Sequence, residues 1–204
     1  TEIGEYILFD AGKGDLRDEK PFDLLATALA YNKFDLMQRI LDADTEETIP
    51  KRIPPAVIAV MRRSLVDLRE VVDSGETISD GDGFPGMPIL MLAALMNEPE
   101  FITFLLDYGL DPDFQTSDGD TALHAAARTD AAAAASLLIE WGANVDLRAQ
   151  RWMTPAHYAV RHQSNEVLQL LVQNGADLKL VAEYPWGTPL DLAYDELDNL
   201  KVKG

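Results

Sequence analysis

The sequence predicts an all-α solenoid of helix-turn-helix units separated by projecting finger loops, and three observations carry that prediction. Segments recur at a fixed interval: Thr121 of "GDTALHAAA" is matched by Thr154 of "WMTPAHYAV", and Gly142 of "EWGANVD" by Gly175 of "QNGADLK", each pair 33 positions apart. A constant period of that length is the signature of stacked repeats. Within the period, apolar residues fall three or four apart, as at Val167, Leu168, Leu170 and Leu171, which is helical rather than strand spacing. Each unit then closes on a glycine, the residue that fits a left-handed helix cap.

Inside one unit the local chemistry sets the elements in order. Thr121 or Thr154 starts a short first helix by accepting a hydrogen bond from a free backbone N–H, and Pro155 or Pro189 follows where a missing N–H costs nothing. A polar break, "RTD" or "RHQSN", ends that helix and precedes a second one. The run Ala131 to Ala135 supplies helix propensity and thin side chains that allow close approach of neighbouring units. A helix pair this small cannot bury its apolar side alone, so neighbours must stack.

The period also divides the chain. Residues 1–20 lie outside it and form an N-terminal extension; "DAGKGD" there lacks the spacer and hydroxyl of a phosphate loop and reads as a turn. Residues 21–82 hold divergent or capping repeats. Of these, "FDLLATALAYNKFDLMQRILDAD" at 22–44 keeps only the apolar pattern, while "IPPAVIAVMRRSLVDLREVVDSG" at 53–75 keeps two helical segments and a terminal glycine offset by one residue. "ETISDGDGFPG" then lengthens the next finger. From 83 to 204 the array is regular: "GMPILMLAAL" and Gly109 of "DYGLDPD" fall in register, with Pro88 in place of the capping threonine, a change that weakens that helix start by roughly 1 kcal/mol. "WGTPLDLA" fits if one residue is inserted near Tyr184. No clear second helix follows "DLAYDELDNLKVKG", so the last repeat reads as half-built, with an edge that calls for a further segment, a partner or self-association.

Composition narrows the function. Without cysteine the chain has no disulfides, thiolate metal sites or cysteine nucleophile. No run reaches the roughly 18 apolar residues of a membrane span, and "TEIGEYILFD" has no signal-peptide pattern, so a cytoplasmic location is expected, with periplasm or secretion left open because the chain starts at Thr1. A net charge of −18, with no Lys or Arg from 70 to 127, repels nucleic acid and anionic membranes and favours a basic partner; a merely solvating acidic face is the competing reading.

The quoted segments "DGDTALHAAA" with "LLIEWGANVD", and "TPAHYAV" with "LLVQNGADL", resemble ankyrin repeats, strongly over 116–181, well over 83–113 and partly over 182–199. The resemblance implies that His124 and His157, in their T-x-x-H turns, brace neighbouring turns by hydrogen bonds rather than catalyse. His162 falls outside that slot, at the end of a first helix, and is expected to be exposed. No catalytic set, cofactor site or metal site is expected: "SDGDGFPG" and "DPDFQTSDGD" lack the ligand alternation and closing glutamate of a calcium loop. Trp152 departs from the family pattern, standing where Gly119 stands one unit earlier, so that fingertip must adopt a different backbone or lean on a partner.

The resemblance further implies binding through the concave side, made of fingertips, first-helix ends and the residue before each terminal glycine. Those slots give Phe84, Met87, Met96 and Tyr108, then Ser117, Asp118, Asp120, Arg128, Thr129 and Trp141. The next unit adds Arg151, Trp152, Met153, Arg161, His162 and Asn174, and the last adds Tyr184 and Trp186. Aromatic residues, Met and Arg are the types enriched at protein interfaces, though Met96 also fits a core and fingertip aromatics can fold back onto the next finger. The expected function is non-enzymatic protein binding: an inhibitor or immunity-type protein that neutralises a basic partner, or, as the alternative, a scaffold or adaptor fragment that recognises a peptide motif.

Overall fold

The computed structural model describes residues 21–31, 33–43, 53–84, 86–183 and 187–193. The chain divides into two compact units, residues 1–78 with 82–85 and residues 79–81 with 86–204. The N-terminal extension 1–20, Tyr184, Trp186 and the end of the half-built repeat beyond 193 lie outside the described residues.

The first unit contains two packed helix pairs, α1 (Pro21–Ala30) with α2 (Phe34–Ala43), and α3 (Pro55–Met61) with α4 (Leu65–Asp73). In α2, Leu36, Met37, Ile40 and Leu41 recur at helical spacing and are buried. α3 begins with Pro55 at its first position and is buried from Ala56 to Met61. α4 is amphipathic: Leu68 is its buried residue, Val66 is exposed, and Ser64 accepts a hydrogen bond from the Asp67 N–H at 3.2 Å.

The second unit repeats one motif. Its first helices are α5 (Ile89–Leu95), α7 (Ala122–Thr129) and α9 (Pro155–Arg161), and its second helices are α6 (Pro99–Tyr108), α8 (Ala132–Glu140) and α10 (Asn165–Gln173). First helices pack on first helices and second on second, so the unit consists of two rows. α5 is buried from Ile89 to Leu95, and the rows close over Ile102, Leu105, Leu138, Val167 and Leu171. Small residues at the row junction, Ala126, Ala127, Ala134 and Ala135, are fully buried and hold the helices close. The second helices end at Gly109, Gly142 and Gly175, whose φ values of 108°, 91° and 86° are the left-handed caps expected from sequence.

Polar side chains tie successive repeats together. The turn between the paired helices passes through a left-handed residue each time, at Asn97, Asp130 and Gln163 (φ 54°, 54° and 58°). Asn97 Oδ1 accepts the Ala134 N–H at 3.0 Å, and Asp130 Oδ1 accepts the Val167 N–H at 3.0 Å. Each therefore caps the second helix of the next repeat, which explains why α8 and α10 begin without a side-chain cap of their own. A second ladder runs through the loops after the terminal glycines. There the carboxylates of Asp80, Asp113 and Asp146, spaced 33 apart, accept the N–H groups of Asp111, Asn144 and Asp177 at 2.8, 2.9 and 3.0 Å. Part of the acidic run between 70 and 127 is accordingly structural.

Candidate protein-binding face

The fingers are rigid because backbone bonds close each one and link it to the next. In the first, Thr116 N–H donates to Asp120 O at 3.0 Å; one period later, Ala149 N–H donates to Met153 O at 2.8 Å. Gln150 N–H reaches Asp118 O at 2.6 Å, Glu183 N–H reaches Arg151 O at 2.8 Å, and the Gln115 amide bridges Gly119 O and Arg148 O at 2.8 and 3.2 Å. Gly119 is required by this geometry: its φ is +80°, and a Cβ there would lie 3.0 Å from Ala149 Cα.

Trp152 occupies the register of Gly119 and keeps the left-handed backbone, with φ +59°, next to Arg151 at +60°. The tryptophan thus retains a conformation that costs a non-glycine residue about 1–2 kcal/mol, and its side chain is 56% exposed. The fingertip backbone nonetheless differs from the one before it: Gln150–Trp152 form a turn of 3-10 helix and Arg151 is left-handed, whereas its counterpart Asp118 is not. Strain held under an exposed aromatic is the pattern found where binding rather than stability shapes a loop.

Beneath the fingers, the histidines brace the turns. Thr121 N–H donates to His124 Nδ1 at 3.2 Å, which puts the ring proton on Nε2, 3.2 Å from the Met153 carbonyl oxygen. His157 repeats the arrangement with Thr154 N–H at 3.0 Å and Gly187 O at 3.1 Å. The reach from histidine to carbonyl grows from 29 residues to 30, the single insertion read near Tyr184. Burial lowers the His124 pKa to about 4 and lowers that of His157 as well. In the next repeat Asp191 takes the histidine's place, accepting the Thr188 N–H at 2.8 Å.

The first-helix surface carries a polar cluster. Tyr158 donates its hydroxyl to Asp120 Oδ1 at 2.7 Å, and its ring lies between those of His124 and His162, at centroid distances of 5.1 and 6.3 Å. Burial and the Asp120 carboxylate push the Tyr158 pKa well above its ordinary value. His162 is held below its usual pKa by burial and then by the charges of Arg161 and Arg128.

Residues selected from sequence separate into groups. Exposed are Tyr108, Ser117, Asp118, Trp141, Arg151, Trp152, Arg161, His162 and Asn174; half-buried are Met87, Asp120, Arg128 and Thr129. Three are corrections: Met96, Met153 and Phe84 are buried. Met96 caps the end of α5 and packs into the row, Met153 sits under its finger while its carbonyl holds His124, and Phe84 belongs to the first unit. Thr129 is also engaged, its hydroxyl donating to Leu95 O and Ala125 O at 3.3 Å, which ties α7 to α5. Tyr158 was missed; it takes the slot of Ala125, and an aromatic replacing a small residue in register was the available signal.

Among the described residues, no cluster of three or more His, Cys, Asp or Glu side chains could hold a metal ion, and no helix is long and apolar enough to cross a membrane. No curated protein matches the chain. The family model described as ankyrin repeats (3 copies) matches residues 90–182, the segment in which the paired helices, left-handed glycine caps and histidine braces recur. This array belongs to the ankyrin-repeat family, whose stacked helix pairs serve as protein–protein interaction modules.

Proposed function

We propose that the chain is a non-enzymatic binder that holds another protein on its finger and first-helix face, acting as an inhibitor or an adaptor. The observation that carries this reading is Trp152: an exposed aromatic on a cross-bonded finger, held by those bonds in a left-handed conformation that is costly for a non-glycine residue. Arg151, Arg161 and His162 supply exposed polar contacts beside it. Both ring nitrogens of His124 and of His157 are engaged in structural bonds, which supports a role without acid–base chemistry.

Support for a basic partner comes from the net charge of −18 and from the stretch 70–127 without Lys or Arg. Asp80 and Asp113, two of the carboxylates that raised that expectation, are engaged in the loop ladder, and the candidate face carries arginines. Long-range attraction fades over about 8 Å at physiological salt, so contacts on the face outweigh the total charge in selecting a partner.

The test is affinity capture from extract of the source cell with wild type, a Trp152→Ala plus Arg161→Ala variant, and a Val172→Ser control on the second-helix row. One partner, lost with the double variant and retained with the control, supports the reading. Equal capture by all three moves the interface elsewhere. Assaying the captured partner's own activity with and without the chain separates inhibitor from adaptor.

A further inference from the structure

Between residues 70 and 178 the basic residues are Arg128, Arg148, Arg151 and Arg161, with no lysine among them. In a chain of net charge −18, all four fall on one kind of surface: Arg148 and Arg151 on a finger, Arg128 and Arg161 in the last turn of successive first helices. Arg128 and Arg161 are separated by one period and occupy the same slot of α7 and α9. His162 directly follows Arg161, with its ring tilted over Tyr158 at a centroid distance of 6.3 Å. Asp120, which lines the same crevice as Arg128, accepts the Tyr158 hydroxyl at 2.7 Å.

We propose that this surface seats an acidic segment of the protein partner, with Arg128 and Arg161 each receiving a carboxylate and Trp152 covering the chain between seat and fingertip. The proposal rests on the protein-binding reading above and specifies the chemistry of what is bound. Arginine is the suited residue: its planar fork binds a carboxylate through two parallel N–H donors, which a lysine in the same place cannot do. The spacing sets the motif. Packed helices lie about 8–10 Å apart, and a chain in polyproline II conformation brings every third residue to the same face at about 3.1 Å rise per residue, so one carboxylate per repeat corresponds to acidic residues three positions apart. A crevice of about 20 Å³ between Met91, Asp120, His124, Arg128 and Tyr158 is too small for a ligand group, so the segment lies across the surface. Nucleic acid offers the same anionic chemistry but must approach the whole chain's negative field with every phosphate.

The experiment selects a random 12-residue peptide library on the full chain. Enriched peptides are then titrated by fluorescence anisotropy against wild type, Arg128→Glu plus Arg161→Glu, Arg128→Lys plus Arg161→Lys, and Trp152→Ala, with oligothymidylate as a competing polyanion. The expected result is a consensus with Asp or Glu three apart, bound at least 10-fold more weakly by the Glu variant and a few-fold more weakly by the Lys variant. Its affinity falls with salt, and oligothymidylate does not displace it. Matching thermal melts show that the charge changes, at half-buried and exposed positions, leave the fold intact. A neutral or basic consensus that is lost with Trp152→Ala overturns this inference and leaves the protein-binding reading standing. Acidic peptides indifferent to the arginine changes, displacement by oligothymidylate, or no enriched sequence would each overturn it.

Discussion

The Nε2 of His124 lies 3.2 Å from the carbonyl oxygen of Met153, joining the start of one first helix to the finger of the next repeat. Burial of the neutral ring, which this bond offsets only in part, makes stability depend on pH. The His124 pKa is lowered to about 4 in the folded chain, below its ordinary value of 6.5, so the unfolded chain takes up the proton first as pH falls. Stability is therefore complete above pH 6.5 and declines from there towards pH 4, by on the order of 3 kcal/mol for this residue. His157, lowered by the same cause, adds a loss of the same sign. Urea unfolding at pH 7.5 and pH 5 measures the change in wild type and in His124→Gln; a variant with an undiminished pH dependence would sink the assignment.

The cap supplied across repeats should be separable from local helix propensity. Asp130→Ala removes the acceptor for Val167 N–H and puts at φ +54° a residue without the aspartate's tolerance of the left-handed region, with an expected loss of about 1–2 kcal/mol. Asp130→Asn keeps an acceptor and tolerates that backbone, so its loss should be under about 0.5 kcal/mol. Hydrogen exchange at Val167 reads the effect directly, since its amide should lose protection in the alanine variant alone.

Two substitutions in the same register should act in opposite directions. Gly119→Ala drives a Cβ to 3.0 Å from Ala149 Cα at φ +80° and is expected to cost about 1–3 kcal/mol. Trp152→Gly relieves a left-handed tryptophan and should stabilise by about 0.5–1 kcal/mol, after the added entropy of an unfolded glycine is subtracted. The denaturation midpoint should rise while partner capture falls. A lower midpoint would show that the indole supports its own finger rather than a partner.

The loop ladder predicts small, repeated effects. Asp113→Ala removes the acceptor of Asn144 N–H at an exposed site and should cost about 0.5–1 kcal/mol, since water replaces part of the lost bond. Asp146→Ala, in the same position of the next loop, should match it within a few tenths of a kcal/mol. Chemical denaturation of both tests the equivalence; a severe loss at one alone would indicate a packing role the ladder does not include.

The helix starts at Thr121 and Thr154 and the left-handed ends at Gly142 and Gly175 were legible in sequence because cap and turn chemistry depends on a few adjacent residues, and the period followed from their recurrence. The insertion near Tyr184 was legible for the same reason, as a shift in otherwise matching motifs. The bracing role of His124 and His157 was implied by the resemblance to ankyrin repeats, since the bonds themselves span 29 and 30 residues. Other features depend on how closely one repeat lies against the next. Asn97 and Asp130 cap helices 37 residues onward, and Tyr158 meets Asp120 across 38, distances at which no local pattern operates. Burial was likewise decided by stacking: Met96 and Met153 hold slots that elsewhere in the array are half-buried or exposed, yet a flexible thioether fills the gap between packed repeats. Trp152 marks the division most clearly. Residue type alone left its backbone open, and the bonds from the fingers on either side hold it in the conformation of the glycine it replaces.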